Sequence, residues 1–489
     1  MGYNGRMNII KQSLLYRAIA AVAAFFGRQW RESALITRFL REDKSRPAVE
    51  NSVFARLWAL IHRALCAVYK VLRLDKLLRG SVFTIPFIWC SATAALAPLL
   101  PTLAVLALAF VSFVSLALTF AGDAGRKLTH SPMNRYILLY AVVYSASVLT
   151  SVSVTGSLYG GAMTVLFVLF AVALQNVLQT RRSLEILLAL VCTAGALVAA
   201  YGVYQYVFGA LVSAAWVDSE MFAELGTRVY STLDNPNVLA EYLLLVIPFA
   251  AAGIYTAKNL LSKVYFVGCF GAMCLCMVLT SSRGGWLGLL FAAAIFLVML
   301  DRRFVLLGIA GLIVLYFTLP SHILARFMSI GNMQDGSSAY RLSIWLGTIT
   351  MLKRYWFTGI GPGTAAFNRV YPIYSYGAAV AQHSHNLYLQ IMCDAGICGI
   401  VLFLMIIFVY FRTVCSALSR CADKRMRVTL VAAVAAVAGF LAQSFTEHSF
   451  YNYRVTLMFW VILGIGVSAA RLAKTAQNGD KEGMVTAND

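Results

Sequence analysis

The sequence predicts an all-α membrane protein of about twelve transmembrane helices, both termini cytoplasmic, with one long helix-containing loop outside. Three observations predict it. The 489 residues are 60% hydrophobic and only 12% charged, against roughly a quarter charged in soluble domains, which excludes a water-soluble globule. The apolar runs come in pieces near the ~20 residues that a helix needs to cross a hydrocarbon core of ~30 Å. They are also continuously apolar, without the alternation of barrel strands.

Residues 1–80 contain no span. Fifteen basic and five acidic residues interleave with apolar ones in SLLYRAIAAVAAFFGRQW and FARLWALIHRALCAVYKVLRL, a pattern suited to two helices lying on an anionic inner leaflet. This segment reads as a basic cytoplasmic anchor without a catalytic part, with a partner-docking module as the alternative. No secretory signal is expected, because the first long apolar run begins only at residue 81. A polytopic domain follows over 81–471, with spans near 82–99, 102–121, 136–154, 162–178, 184–207, 238–257, 264–281, 284–300, 304–320, 387–411, 428–446 and 455–470. Pro98 and Pro101 mark the turn between the first two spans, and TGSLYGG the turn between the third and fourth. The polar end, 472–489, reads as a disordered cytoplasmic tail.

Charge orients the bundle. With residues 1–80 inside, 32 of the 40 Lys and Arg fall on the cytoplasmic side and eight outside, as the positive-inside rule requires. The formal net charge of +20 then belongs wholly to the cytoplasmic face, where 32 basic residues meet 12 acidic ones. It is accounted for by lipid and topology, and no nucleic-acid partner is expected. All ten Cys fall in spans or cytoplasmic segments, so structural disulfides are not expected.

Two outside connections are long, about 208–237 and the 66 residues of 321–386. Loops of that length carry function or structure of their own. SAYRLSIWLGTITMLKRYWF reads as a helix at the membrane surface, TGIGPGTAAF as a turn region, and AQHSHNLYLQ leads into span ten. A carrier built from two similar halves would place its long connection centrally, and this chain does not.

Span ten opens with His385 and Asn386, followed after nine residues by Gly396 and then Gly399. On a continuous helix both glycines lie within about 40° of His385. His385 is therefore expected to point into the bundle at the outer water boundary, on the face where another backbone approaches. A His383–His385 metal pair is the alternative, but no carboxylate or Cys cluster is seen to supply further ligands, so no metal is expected. Arg283, in TSSRGGWLG between spans seven and eight, and Arg341, in AYRLSIW, are outside arginines suited to an anion. A guanidinium donates paired, charge-assisted hydrogen bonds to phosphate. Taken singly, each also reads as a structural or snorkelling arginine. Asp394 and Glu241, inside spans, read as helix-packing polar groups.

At these residues the chain resembles the O-antigen ligase family of membrane glycosyltransferases. SRGGWLG, then Arg-Leu-x-x-Trp, then Gly-Ile-Gly-Pro-Gly-Thr, then His-Asn-x9-Gly-x-x-Gly carry the resemblance, together with LDNPNVLAEYLLLVIP at 233–248. It is specific over about 230–410 and leaves out residues 1–80. It implies a GT-C-like fold and transfer of a preassembled glycan from a polyprenyl diphosphate carrier to an acceptor hydroxyl. That acceptor would be a glycan, lipid or protein on the outer side of the cytoplasmic membrane, and the resemblance implies no metal or other cofactor. It also implies that His385 is catalytic, that Arg283 and Arg341 hold the diphosphate, and that Asn386, Gly396 and Gly399 support the motif.

The chemistry is consistent with these residues. A sugar hydroxyl is a poor nucleophile, and a histidine base contributes about 10²–10⁴-fold. Two arginines would stabilise the departing diphosphate, giving a metal-independent displacement with inversion at the anomeric carbon. A repeat-unit polymerase of the same superfamily is the alternative reading, and a flippase for lipid-linked sugars a more distant one.

Overall fold

The computed structural model describes residues 53–71, 84–122, 128–129, 131–209, 228–301, 304–318, 321–328, 336–377 and 379–485. The chain divides into two compact units, residues 1–68 and 69–489. In the first, the described residues belong to helix α1 (Val53–Val71), whose Arg56, Arg63 and Lys70 recur every seven residues and so share one face. The other amphipathic stretch, SLLYRAIAAVAAFFGRQW, lies outside the described residues.

The second unit is helical throughout its described residues, with no strand. Each of the twelve apolar segments is a helix: α2 (Thr84–Leu96), α3 (Thr102–Gly122), α4 (Pro132–Leu149), α5 (Val154–Val177), α6 (Arg181–Phe208) and α7 (Pro236–Thr256), then α8 (Leu260–Leu279), α9 (Arg283–Leu300) and α10 (Phe304–Thr318). After the loop come α14 (Leu387–Arg420), α15 (Lys424–Gln443) and α16 (Tyr453–Val485). Among the described residues nine of these are long and apolar enough to cross a membrane. The other three are α2 with 13 residues, α10 with 15, and α4, which carries Asn134 and Arg135 in its first turn. At 1.5 Å per residue α2 spans about 20 Å, less than a full hydrocarbon core. The protein is thus an all-α, multi-pass membrane protein.

Burial follows composition. Helices α7, α15 and α16 are the most enclosed of the nine, and α7 is apolar beyond Asn237 and Glu241 near its start, as suits an interior helix. It packs on α15, which in turn packs on α9, while α5 packs on α16. Glu241 is fully buried within α7. Asp394 accepts hydrogen bonds from the Tyr144 hydroxyl at 3.2 Å and the Gln390 amide at 2.9 Å, holding α14 to α4.

Three expectations need correction. TGSLYGG is not a turn; it forms the first turns of α5, and the chain reverses earlier, at Thr150–Ser153. Its glycines make room for neighbours, since a Cβ on Gly156 would lie 2.5 Å from the Ala365 Cβ and one on Gly161 2.2 Å from Val148. The polar end is helical through Val485 as a continuation of α16. Its Ala, Lys, Gln and Glu residues are good helix formers.

The third correction concerns span ten. Ala395 and Gly396 break α14, with Gly396 at φ +62°, so angles counted on a continuous helix do not apply beyond this point. Across the break runs the turn segment Trp356–Ile360, joined by Ile397 N–H to the Trp356 carbonyl at 2.9 Å and Ile360 N–H to the Cys393 carbonyl at 2.6 Å. A Cβ on Gly396 would lie 1.9 Å from the Phe357 carbonyl oxygen. Close backbone approach at Gly396 is therefore real, but its cause is a broken helix. Gly396→Ala is expected to lower the unfolding temperature in detergent by several degrees or to prevent folding, because it adds both a left-handed strain of about 1–3 kcal/mol and a backbone clash. Gly268→Ala, where a Cβ meets open space, is expected to change it little; equal shifts in the two variants would refute the assignment.

The long loop is built of helices α11 (Ser321–Met328), α12 (Gly336–Tyr355) and α13 (Thr364–Val370). α12 coincides with the helix expected from its sequence. Ile344, Met351, Ile360, Phe367 and Tyr371 form a small core among the described residues of the loop, which holds α12 together with the segment from Ile360 to Tyr371.

Candidate functional site

The site forms where the loop returns to the bundle. His385 has a left-handed backbone, φ +47°, just before α14. Asn386 caps that helix, its side-chain oxygen accepting from Leu389 N–H at 3.0 Å while its amide donates to the Phe445 carbonyl at 2.8 Å. Leu387 N–H reaches the Ser444 carbonyl at 2.9 Å. The start of α14 is thus tied to the end of α15. From above, the Trp345 indole donates to the His385 carbonyl at 3.3 Å, so the tryptophan of Arg-Leu-x-x-Trp positions the histidine.

The ring of His385 meets a residue that sequence reading did not single out. Its Nδ1 lies 2.8 Å from Oε1 of Glu447, a buried carboxylate in the connection between α15 and α16. Oε2 of Glu447 accepts from Arg341 at 3.1 Å and from the Asn237 amide at 3.1 Å. Asn237 in turn accepts from Arg228 at 3.0 Å. Burial alone would raise the Glu447 carboxyl, but the hydrogen bond from His385 and the charge of Arg341 outweigh it and hold the group well below the usual carboxylate range. An ionised Glu447 can only accept, so Nδ1 of His385 carries the proton in this bond and Nε2 is left as the base.

Beside this chain is a polar cavity of about 60 Å³, lined by Arg228, Arg283, Arg326 and Arg341 with Asn237 and Glu447. Arg283 and Arg341, the two arginines expected to hold an anion, face one space. Arg228 and Arg326 join them; they lie one in each of the two long connections, where a count of basic residues could have flagged them. Four guanidinium groups around one cavity create an anion-attracting field. Its strength shows in Arg228, whose guanidinium is pushed down to about 10, by burial first and then by Arg326 and Arg341.

Gly396 and Gly399 do not reach this cavity; they serve the broken segment of α14. Gly-Ile-Gly-Pro-Gly-Thr is likewise structural, since the Ile360 carbonyl accepts from Val152 N–H at 3.0 Å and from the Ser151 hydroxyl at 3.1 Å.

His383 lies beside His385, and His448 packs on His383 with ring centroids 5.3 Å apart. His383 stacks on Tyr451 with ring centroids 4.9 Å apart, and its ring lies 4.3 Å from that of His385. Burial, and next the neighbouring His385, push His383 down to about 4, so it is neutral at physiological pH. The unfolded chain binds this proton first. The contribution of His383 to stability is therefore whole above about 6.5 and is lost as pH falls toward 4. Thermal unfolding in detergent is expected to show that slope between pH 6.5 and 4, and His383→Phe, which keeps the stack, to flatten it; an unchanged slope would contradict this.

The argument against metal also changes. His383, His385 and Glu447 offer three ligand atoms within 4.8 Å of one another, so a carboxylate does accompany the His-x-His pair. Part of this donor set is nevertheless engaged: both Glu447 oxygens hold His385, Arg341 and Asn237, and His383 Nδ1 accepts from the His385 N–H at 3.3 Å. A cation here would also face the Arg341 charge.

Residues 268–404 match the family model described as O-antigen ligase, which supports assignment of the chain to that family. The matched segment contains Arg283, Arg341, His385, Asn386, Gly396 and Gly399, and leaves Arg228 and Glu447 outside it. No curated protein matches the chain.

Proposed function

We propose that this O-antigen ligase-family membrane protein is a glycosyltransferase that moves a preassembled glycan from a polyprenyl diphosphate carrier to an acceptor hydroxyl. The observation that carries the reading is the 2.8 Å contact between His385 Nδ1 and Glu447 beside a cavity lined by four arginines. In this mechanism the acceptor O–H gives its proton to Nε2 of His385 as its oxygen bonds to the anomeric carbon. The bond from that carbon to the diphosphate breaks, and the electron pair leaves on the diphosphate. Glu447 holds the ring in one tautomer and stabilises the imidazolium, as a carboxylate does in a hydrolase triad. Arg283 and Arg341, with Arg228 and Arg326, stabilise charge on the leaving group. One displacement inverts the anomeric centre and requires no metal.

The positive-inside count favours a site facing outward from the cytoplasmic membrane, with both termini inside. Acceptors of several classes, whether lipid core, other glycan or protein, present the required hydroxyl. Deleting the gene and profiling surface glycans and lipid-linked intermediates by gel and mass spectrometry tests the reading. Full-length lipid-linked polymer is expected to accumulate. Accumulation of single repeat units would assign a polymerase instead, and unchanged intermediates would overturn both. Reconstituted transfer is expected to survive a chelator; loss restored by added metal, or isolation of a covalent glycosyl-enzyme, would overturn the direct, metal-independent displacement.

A further inference from the structure

Helices α7 and α15 run from the arginine cavity to a second cavity at their other ends. This one has a volume of about 300 Å³, at the lower end of the ~300–1,000 Å³ typical of small-ligand sites. Its rim carries Arg181, Lys258 and Arg425, and its walls are apolar, including Leu188, Phe249 and Phe266. Glu185, also on the rim, pairs with Arg181 at 2.9 Å, and Asp423 pairs with Arg181 as well. Lys258 and Arg425 have no ion-pair partner among the described residues, so the rim keeps a positive excess. Beside it, Leu260, Leu261 and Val264 stand 76%, 81% and 60% exposed on α8, an apolar surface continuous with the first turn of that helix.

We propose that this cavity binds the phosphodiester headgroup of one anionic glycerophospholipid, whose acyl chains lie along Leu260, Leu261 and Val264. Charge complementarity selects the headgroup: two uncommitted cations face a single negative phosphodiester over an apolar floor. A zwitterionic lipid would bring its own cation to the same rim. Basic pockets between helix ends are where anionic lipids bind membrane proteins, and the first turns of α6, α8 and α15 converge here, each adding positive N-terminal dipole character. Free phosphate matches the cations but leaves the apolar walls and the exposed leucines uncovered. This site is independent of the proposed reaction, lying at the opposite end of α7 and α15.

Native mass spectrometry and thermal unfolding of the delipidated full-length protein in detergent test it, with phosphatidylglycerol, phosphatidylcholine and inorganic phosphate as probes. One phosphatidylglycerol is expected to be retained per chain and to raise the unfolding temperature more than phosphatidylcholine. Lys258→Gln combined with Arg425→Gln is expected to weaken that retention at least about tenfold, equivalent to about 1.4 kcal/mol. Arg182→Gln with Lys263→Gln, which removes two charges outside the cavity lining, is expected to leave it largely intact. Thr256→Phe, which narrows the cavity and keeps every charge, is expected to weaken it too, and serves if the charge variant does not fold. Equal protection by phosphate alone, no preference for phosphatidylglycerol, or equal losses in both charge pairs would overturn the proposal.

Discussion

Alanine at position 385 is expected to lower glycan transfer by about 10²–10⁴-fold, the usual worth of a positioned general base, while the lipid-linked donor still binds. Arg341 hydrogen-bonds Glu447, and in this mechanism the donor diphosphate is held by the arginines while the imidazole acts on the acceptor, so the loss should appear in kcat with KM little changed. The backbone of His385, not its ring, accepts from Trp345, and Asn386 supplies the helix cap. The variant should therefore fold, and its unfolding temperature is the check. A His385→Ala protein that retains full transfer would refute the role, and equal loss of donor binding would reassign the ring to binding.

Glu447→Gln should be nearly as damaging, although no charge touches the acceptor in this mechanism. The amide keeps the shape but loses the charge that fixes the His385 tautomer and stabilises the imidazolium, a loss worth up to about 10⁴-fold in a comparable hydrolase triad. It also leaves Arg341 without its 3.1 Å partner. Removing one member of a buried pair costs roughly 3–5 kcal/mol, and the partial exposure of Arg341 should reduce that figure. One consequence separates this role from a merely structural one. The double variant with His385→Ala should be no slower than His385→Ala alone, because residues acting as a unit are not additive. Additive losses would reduce Glu447 to a packing residue.

The acid behaviour of the folded protein should divide in the same region. Glu447 has a depressed folded-state pKa, so its stabilisation is present above its ordinary value of 4.5 and is lost as pH falls below it. The His383 contribution disappears earlier, between about 6.5 and 4.

Much of the fold was legible because bilayer length acts locally. An apolar run of span length must become a helix in lipid, and each of the twelve segments is helical. The exceptions have local reasons. Glycine-rich TGSLYGG resembles a turn but forms a helix face against Pro362 and Ala365, and no sequence pattern announces that packing. Gly396 resembles a helix-packing glycine, yet it breaks α14 because the segment at Phe357 crosses it.

Of the candidate site, His385, Arg283 and Arg341 were legible from residue type and from the rarity of such groups in the connections expected to lie outside. Glu447 was not. It lies 62 positions from His385 in the chain, in a short connection with no pattern around it, and becomes significant only when α15 and α16 carry it to the ring. Arg228 and Arg326 were visible as outside charges, but nothing in their neighbourhoods pointed them at Arg283 and Arg341.

The sequence by itself determined an α-helical, multi-pass membrane protein with one histidine motif and a handful of arginines in the connections between its helices, because hydrophobic length and charge pattern act residue by residue along the chain. Only the tertiary structure decided that four of the eight basic residues expected outside line one cavity, and that a carboxylate fixes the proton on His385. Those are distances between segments far apart in the chain, set by how the helix ends pack.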